Sequence, residues 1–197
     1  LSGYYGFDNC GDEAVLLAII KSLRSLVPDL EITVLSGNPE KTAAAYGVKA
    51  VPRFKIPSVI RSLFGADLLI SGGGSLLQDV TSAKSPLYYL GIITLGQLFA
   101  RKNMVYAQGI GPLNIKESQQ RTIKVFKKCD VITVRDQGSL QDLLEMGLDV
   151  PIEVVADPVM GLQAEDIPDD PGCRILKELA LADDQGKMEK PLLVVAL

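Results

Sequence analysis

Histidine does not occur in this 197-residue chain, and its absence removes several chemistries at once. No serine–histidine triad, histidine general base or histidine-ligated zinc can be built from these residues. Cysteine is nearly as scarce. Cys10, Cys129 and Cys173 are odd in number and lack metal-ligand spacing. They read as reduced thiols of a cytoplasmic protein rather than as a disulfide framework. Positive charge is not in excess either. A net charge of −4 and a pI near 4.9 argue against a nucleic-acid surface. The only basic concentrations, Lys127-Lys128 and the Arg and Lys residues between 53 and 61, read as solvated faces. No apolar run is long enough for a membrane span, because the longest uncharged stretch, between Lys84 and Arg101, is interrupted by Pro86 and Gln97. A signal-peptide pattern and the Gly-Lys-Ser/Thr of a P-loop are missing too.

What the chain does have is glycine-rich turns placed after short apolar runs. The sequence is organised around Leu68-Leu69-Ile70-Ser71-Gly72-Gly73-Gly74-Ser75-Leu76-Leu77-Gln78-Asp79. The apolar start reads as the end of a buried parallel strand. The three glycines permit positive φ and close approach of backbone to a bound group. The same stretch also reads as a tight strand-to-helix turn that only packs.

Similar punctuation runs along the rest of the chain. Residues 1–3 read as the remnant of a strand, and Gly3 to Glu13 as a turn into a helix that ends before Pro28. Asn9 or Asp12 can cap that helix, and Asp12 and Glu13 suit the positive end of its dipole. Strands are predicted over 31–36, 49–51, 68–71, 103–107, 131–134 and 152–155. Helices are predicted around 43–45, 56–64, 86–100, 117–128, 139–147 and 173–181. Gln108-Gly109-Ile110-Gly111-Pro112 closes the fourth of these strands without dinucleotide spacing. Arg135 ends the fifth, where it can bind an anion or bridge to Asp136 or Asp157. Tyr88 and Tyr89 read as packing. The alternation argues for an α/β, Rossmann-like parallel sheet with helices on both faces. The predicted organisation is a Rossmann-like domain over 1–160, a connecting helix and linker over 161–190, and the start of a second domain over 191–197. Both ends read as cut, so the chain is expected to be one domain, or most of it, from a longer protein.

The turns taken together resemble the amino-terminal half of the polysaccharide pyruvyltransferase family. The resemblance rests on Gly6-Phe7-Asp8-Asn9-Cys10-Gly11-Asp12-Glu13, Gly72-Gly73-Gly74-Ser75, Gln108-Gly109-Ile110-Gly111-Pro112, Val134-Arg135-Asp136 and Ala156-Asp157-Pro158. It is nearest to the branch acting on secondary cell-wall polymers of Gram-positive bacteria. It implies one half of a GT-B-like two-domain enzyme with the active site in the cleft between the halves. The implied reaction moves pyruvate from phosphoenolpyruvate, a co-substrate rather than a cofactor, onto two hydroxyls of a sugar as a cyclic ketal. The implied acceptor is N-acetylmannosamine in a lipid-diphosphate-linked precursor, met in the cytoplasm with peripheral contact to the inner membrane face left open. The family's donor site and catalytic histidine lie in the carboxyl-terminal domain, so the present chain is expected to be inactive alone.

The chemistry needs a base for the attacking hydroxyl, for which Asp12 is the first choice and Asp79 the second. Asn9, Ser75 and Gln78 are expected to orient the acceptor, with Gly11, Gln108 and Asp136 also at the substrate. The Gly73 and Gly74 N–H groups are expected to receive a phosphate or carboxylate oxygen, and Arg135 to hold an anion. No metal is implied, because the carboxylates are spread over four turns. Self-association is left open. Two alternatives share these features: a nucleotide-sugar GT-B glycosyltransferase and a non-catalytic sugar- or anion-binding domain.

Overall fold

The computed structural model describes residues 1–80, 84–166, 169–181, 183 and 188. Seven strands build one sheet: β1 (Ser2–Tyr5), β2 (Thr33–Ser36), β3 (Lys49–Pro52), β4 (Leu68–Gly72), β5 (Lys102–Gln108), β6 (Val131–Val134) and β7 (Glu153–Val154). All neighbours pair in parallel, in the order β3-β2-β1-β4-β5-β6-β7. The expected α/β Rossmann-like sheet is therefore what the chain forms. β4 occupies the middle of the seven, and all but its first residue are buried. A strand covered on both faces needs such an uninterrupted run, which is why Leu68 to Gly72 carries no charge.

Helices lie on both faces. The first six are α1 (Cys10–Leu26), α2 (Pro39–Tyr46), α3 (Ile56–Leu63), α4 (Lys84–Phe99), α5 (Lys116–Phe126) and α6 (Gln137–Glu145). Adjacent residues of β2 show the division, since successive strand side chains point to opposite faces. Val34 packs with Leu16 and Ile20 of α1. Leu35 packs with Val59 and Leu63 of α3 and Ile92 of α4. A third cluster joins Val105, Ile132 and Val134 of the sheet to Tyr89, Leu90 and Ile93 of α4, Phe126 of α5 and Leu143 of α6. Fully burying a side chain such as Phe126 is worth about 1.5–3 kcal/mol, so these clusters dominate the stability of the sheet.

One boundary differs from expectation. Gly3 is not in a turn: the first strand continues to Tyr5. β1 is flanked by β2 and β4, and two ladders hold even a glycine in extended form. The turn proper is Gly6 to Asn9. Asn9, not Asp12, caps α1, its Oδ1 accepting from the N–H groups of Gly11 at 3.0 Å and Asp12 at 3.2 Å.

The chain divides into two compact units, Leu1–Gly161 and Leu162–Leu197. The second contains a 3-10 turn at Ala164–Asp166 and the helix α7 (Asp169–Glu178), where a helix over 173–181 was expected. The expected closing strand at 191–197 and most of the polar linker before it lie outside the described residues.

Candidate functional site

The strand order reverses direction at β1 and β4. From β1 the chain steps outward to β2 and β3, and from β4 it steps the other way to β5, β6 and β7. The connections leaving two such strands diverge and open a crevice beyond their carboxyl ends, where ligands of this architecture sit. Because every strand is parallel, the five turns singled out in the sequence all lie along that same edge. Those after β1 and β4 face each other across the reversal.

Their packing explains the glycines. Gly73 and Gly74 have φ of +74° and +70°, in the left-handed region. A Cβ on Gly73 would fall inside the side chain of Val15, so bare backbone is what lets α1 close onto the turn. A Cβ on Gly74 would lie 2.9 Å from Asp12 Oδ1. The Asp12 carboxylate therefore rests directly against the glycine turn, at the mouth of the crevice. Gly73 donates its N–H to the Tyr106 carbonyl at 3.0 Å and so extends the ladder rather than facing a ligand. The Gly74 N–H has no hydrogen bond among the described residues.

The neighbours of Asp12 are committed to holding this turn. Glu13 accepts from the Gly6 N–H at 2.8 Å and from the Tyr46 hydroxyl at 2.7 Å. Asn9 serves the helix cap. The Asp12 carboxylate itself accepts no hydrogen bond among the described residues. Burial raises its pKa above the ordinary 3.8, the negative charge of Glu13 adds to the rise, and the Arg53 cation opposes it. A half-buried carboxylate with a raised pKa and unoccupied lone pairs is equipped to take a proton from a bound hydroxyl.

Arg53 was missed in the sequence, where the basic residues of 53–61 read as a solvated face. It is only 4% exposed. It donates to the Gly3 carbonyl at 2.9 Å and to the Tyr89 hydroxyl at 3.1 Å. Its guanidinium lies 4.3–5.8 Å from the ring centres of Tyr4, Phe7, Phe54, Tyr88 and Tyr89. Among the described residues no carboxylate pairs with it, and its Nε is buried without a partner. Cation–π attraction replaces the missing ion pair. Tyr88 and Tyr89 do pack, as expected, but what they pack is this cation.

On the other flank of the glycine turn the polar groups satisfy one another. Gln108, 1% exposed, donates to the carbonyls of Gly74 at 2.8 Å and Gly109 at 3.2 Å. Arg135 donates to Ser75 Oγ at 2.8 Å and to Asp157 at 3.2 Å, with Asp136 at 3.6 Å from its Nε. Asp136 caps α6 through the Ser139 N–H at 2.7 Å, and that bond holds its carboxyl below the ordinary range. Asp79 accepts from the N–H groups of Asn114 at 2.9 Å and Ile115 at 2.8 Å, so both of its oxygens tie down the loop ahead of α5. Gln78 accepts from the Val80 N–H at 3.1 Å. Thus Asn9, Gly11, Asp12 and Gly74 meet on one flank, while Ser75, Gln108, Arg135 and Asp136 meet on the other. Asp79 is turned toward the loop at 112–115.

Cys10 and Cys129 are free, and burial pushes the Cys129 thiol up to about 11. Among the described residues no cluster of three or more Asp, Glu or Cys side chains is placed to hold a metal, and no helix is long and apolar enough to cross a membrane. No curated protein and no solved structure gives a significant match to the chain. A model of the family described as polysaccharide pyruvyl transferase matches residues 9–193, a span that takes in the crevice turns on both flanks. The chain belongs to the polysaccharide pyruvyl transferase family.

Proposed function

We propose that the chain supplies the acceptor side of a pyruvyl transfer from phosphoenolpyruvate to a saccharide, with Asp12 as the base. The observation that carries this reading is the Asp12 carboxylate, free of hydrogen bonds among the described residues and lying against Gly74 at the strand reversal. In the reaction the methylene carbon of phosphoenolpyruvate takes a proton, which leaves an oxocarbenium-like centre at the adjacent carbon. A sugar hydroxyl attacks that carbon and gives its proton to Asp12. The phosphate group leaves, the second hydroxyl closes on the same carbon and gives its proton to the departing phosphate, and a cyclic ketal and hydrogen phosphate result. One phosphate is released for each ketal formed.

The initial proton comes from an acid outside this chain, which fits a GT-B-like enzyme whose second domain carries the donor site. The uncommitted Gly74 N–H is the group of this turn placed to receive an oxygen of the reacting centre. The Ser75–Arg135–Asp157 set keeps the opposite wall in shape. N-acetylmannosamine of a lipid-diphosphate-linked cell-wall precursor is the acceptor we assign, in the cytoplasm. The test incubates the enzyme carrying both halves with phosphoenolpyruvate and that acceptor, following phosphate release and the ketal methyl signal by NMR. Equal amounts of the two are expected. Phosphate without ketal, or glycosyl transfer from a nucleotide sugar instead, would overturn the reading.

A further inference from the structure

The chain has five Phe and six Tyr residues, and five of these eleven surround Arg53. Three of the five are exposed: Tyr4 at 40%, Phe7 at 37% and Phe54 at 69%. They come from the end of β1, the turn after it and the turn after β3, so they share the carboxyl edge with Asp12. The rings are held in fixed relation. Tyr4 stacks on Phe7 with centroids 4.4 Å apart, and Phe54 meets Tyr88 edge-on at 5.5 Å. The buried guanidinium, anchored to the Gly3 carbonyl and Tyr89 hydroxyl, ties both pairs to one point.

Exposed aromatic rings in a fixed frame beside an uncommitted carboxylate match one kind of ligand. A pyranose has an apolar face of C–H bonds that stacks on an aromatic ring, and an edge of hydroxyls that needs acceptors. An anionic membrane or a nucleic acid suits the place poorly, because the adjoining turn carries Asp8 and the start of α1 carries Asp12 and Glu13. Lys41 is already paired with Asp8. Arg53, whose Nε is buried with no hydrogen-bond partner among the described residues, sits at the centre of the cluster and fixes its rings.

We propose that Tyr4 and Phe54, framed by Phe7 and the caged Arg53, form a stacking subsite for the sugar ring whose hydroxyl Asp12 deprotonates. This inference rests on the acceptor-side reading above and names where the acceptor's ring sits. The rings fix the plane of the sugar, and Asp12 then selects the hydroxyl that projects toward Gly74.

The test uses N-acetylmannosamine as the probe and this chain as the protein. Saturation transfer from the aromatic protons to the ring protons of the sugar is measured by NMR. Wild type is expected to transfer saturation to one face of the pyranose. Phe54→Ala and Tyr4→Ala should each weaken binding about tenfold, Phe54→Tyr should restore it, and Phe64→Ala, at an exposed phenylalanine outside the cluster, should leave it unchanged. Circular dichroism confirms that each variant is folded. No transfer in wild type, or undiminished binding in folded Phe54→Ala and Tyr4→Ala, overturns the subsite. In the enzyme carrying both halves, the same two variants should raise the acceptor KM and leave the phosphoenolpyruvate KM alone. Unchanged acceptor KM with intact ketal formation removes the subsite but keeps the transferase reading, whereas absence of ketal formation in wild type strikes the reading itself.

Discussion

The two flanks of the glycine turn use the same residue types to opposite ends. On the α1 flank, among the described residues, an aspartate, Asp12, accepts no hydrogen bond and an arginine, Arg53, pairs with no carboxylate. On the α5–α6 flank Asp79 holds two backbone N–H groups, Asp136 caps a helix, and Arg135 bonds Ser75 and Asp157. The second flank is a structural lock. The first carries groups whose burial costs stability, and such groups concentrate where chemistry is done.

Asp12→Asn should produce the largest effect. If Asp12 is the base, kcat of the enzyme carrying both halves falls by roughly 10²–10⁴. Stability should move the other way. The folded chain holds the Asp12 proton more tightly than the unfolded chain, so ionising it as pH rises through the raised pKa costs stability. Asparagine removes that cost, and Tm at neutral pH should rise by about 1–2 °C. The difference should vanish in acid, where the aspartate is protonated in both states. Loss of activity with loss of stability would mean that Asp12 is structural.

Gly73→Ala should come next. The added methyl meets Val15 at a backbone φ of +74°, so a loss of about 2–4 kcal/mol is expected in denaturant unfolding. A neutral result would show that α1 does not press on the turn. Asp79→Ala frees two N–H groups that water can reach, and should cost about 1–2 kcal/mol with kcat within tenfold of wild type. A loss of kcat as deep as that of Asp12→Asn would move the base to Asp79. The smallest effect is assigned to Asp136→Ala, about 1 kcal/mol for a lost helix cap. The lowered pKa of Asp136 means that its contribution is present above the ordinary carboxylate range and is lost as pH falls through the depressed value. Thermal melts of the variant and wild type should therefore converge in strong acid.

The sheet was legible because parallel strands buried on both faces carry short apolar runs, and Leu68–Gly72, residues 104–107 of β5 and Val131–Val134 are such runs. β1 was harder, since Gly3 and the tyrosines look like turn chemistry until β2 and β4 supply its ladders. The meeting of Asp12 with Gly74 followed from one parallel sheet with both turns at its carboxyl edge. Arg53 did not follow. A lone arginine between Pro52 and Phe54 reads as solvated, and its burial depends on rings drawn from β1, two turns and α4. The commitment of Asp79 was equally hidden, because its partners at 114 and 115 lie thirty-five and thirty-six residues away and are backbone groups without a side-chain signature.

The contrast between the flanks comes down to the state of one carboxylate. A carbon-detected NMR titration of the Asp12 carboxyl measures it in this chain, in wild type and in Arg53→Met. A midpoint above 3.8 is expected in wild type, with a further upward move when the opposing cation is removed. A midpoint at or below 3.8, unmoved by Arg53→Met, would place Asp12 among the committed carboxylates and contradict its role as the base.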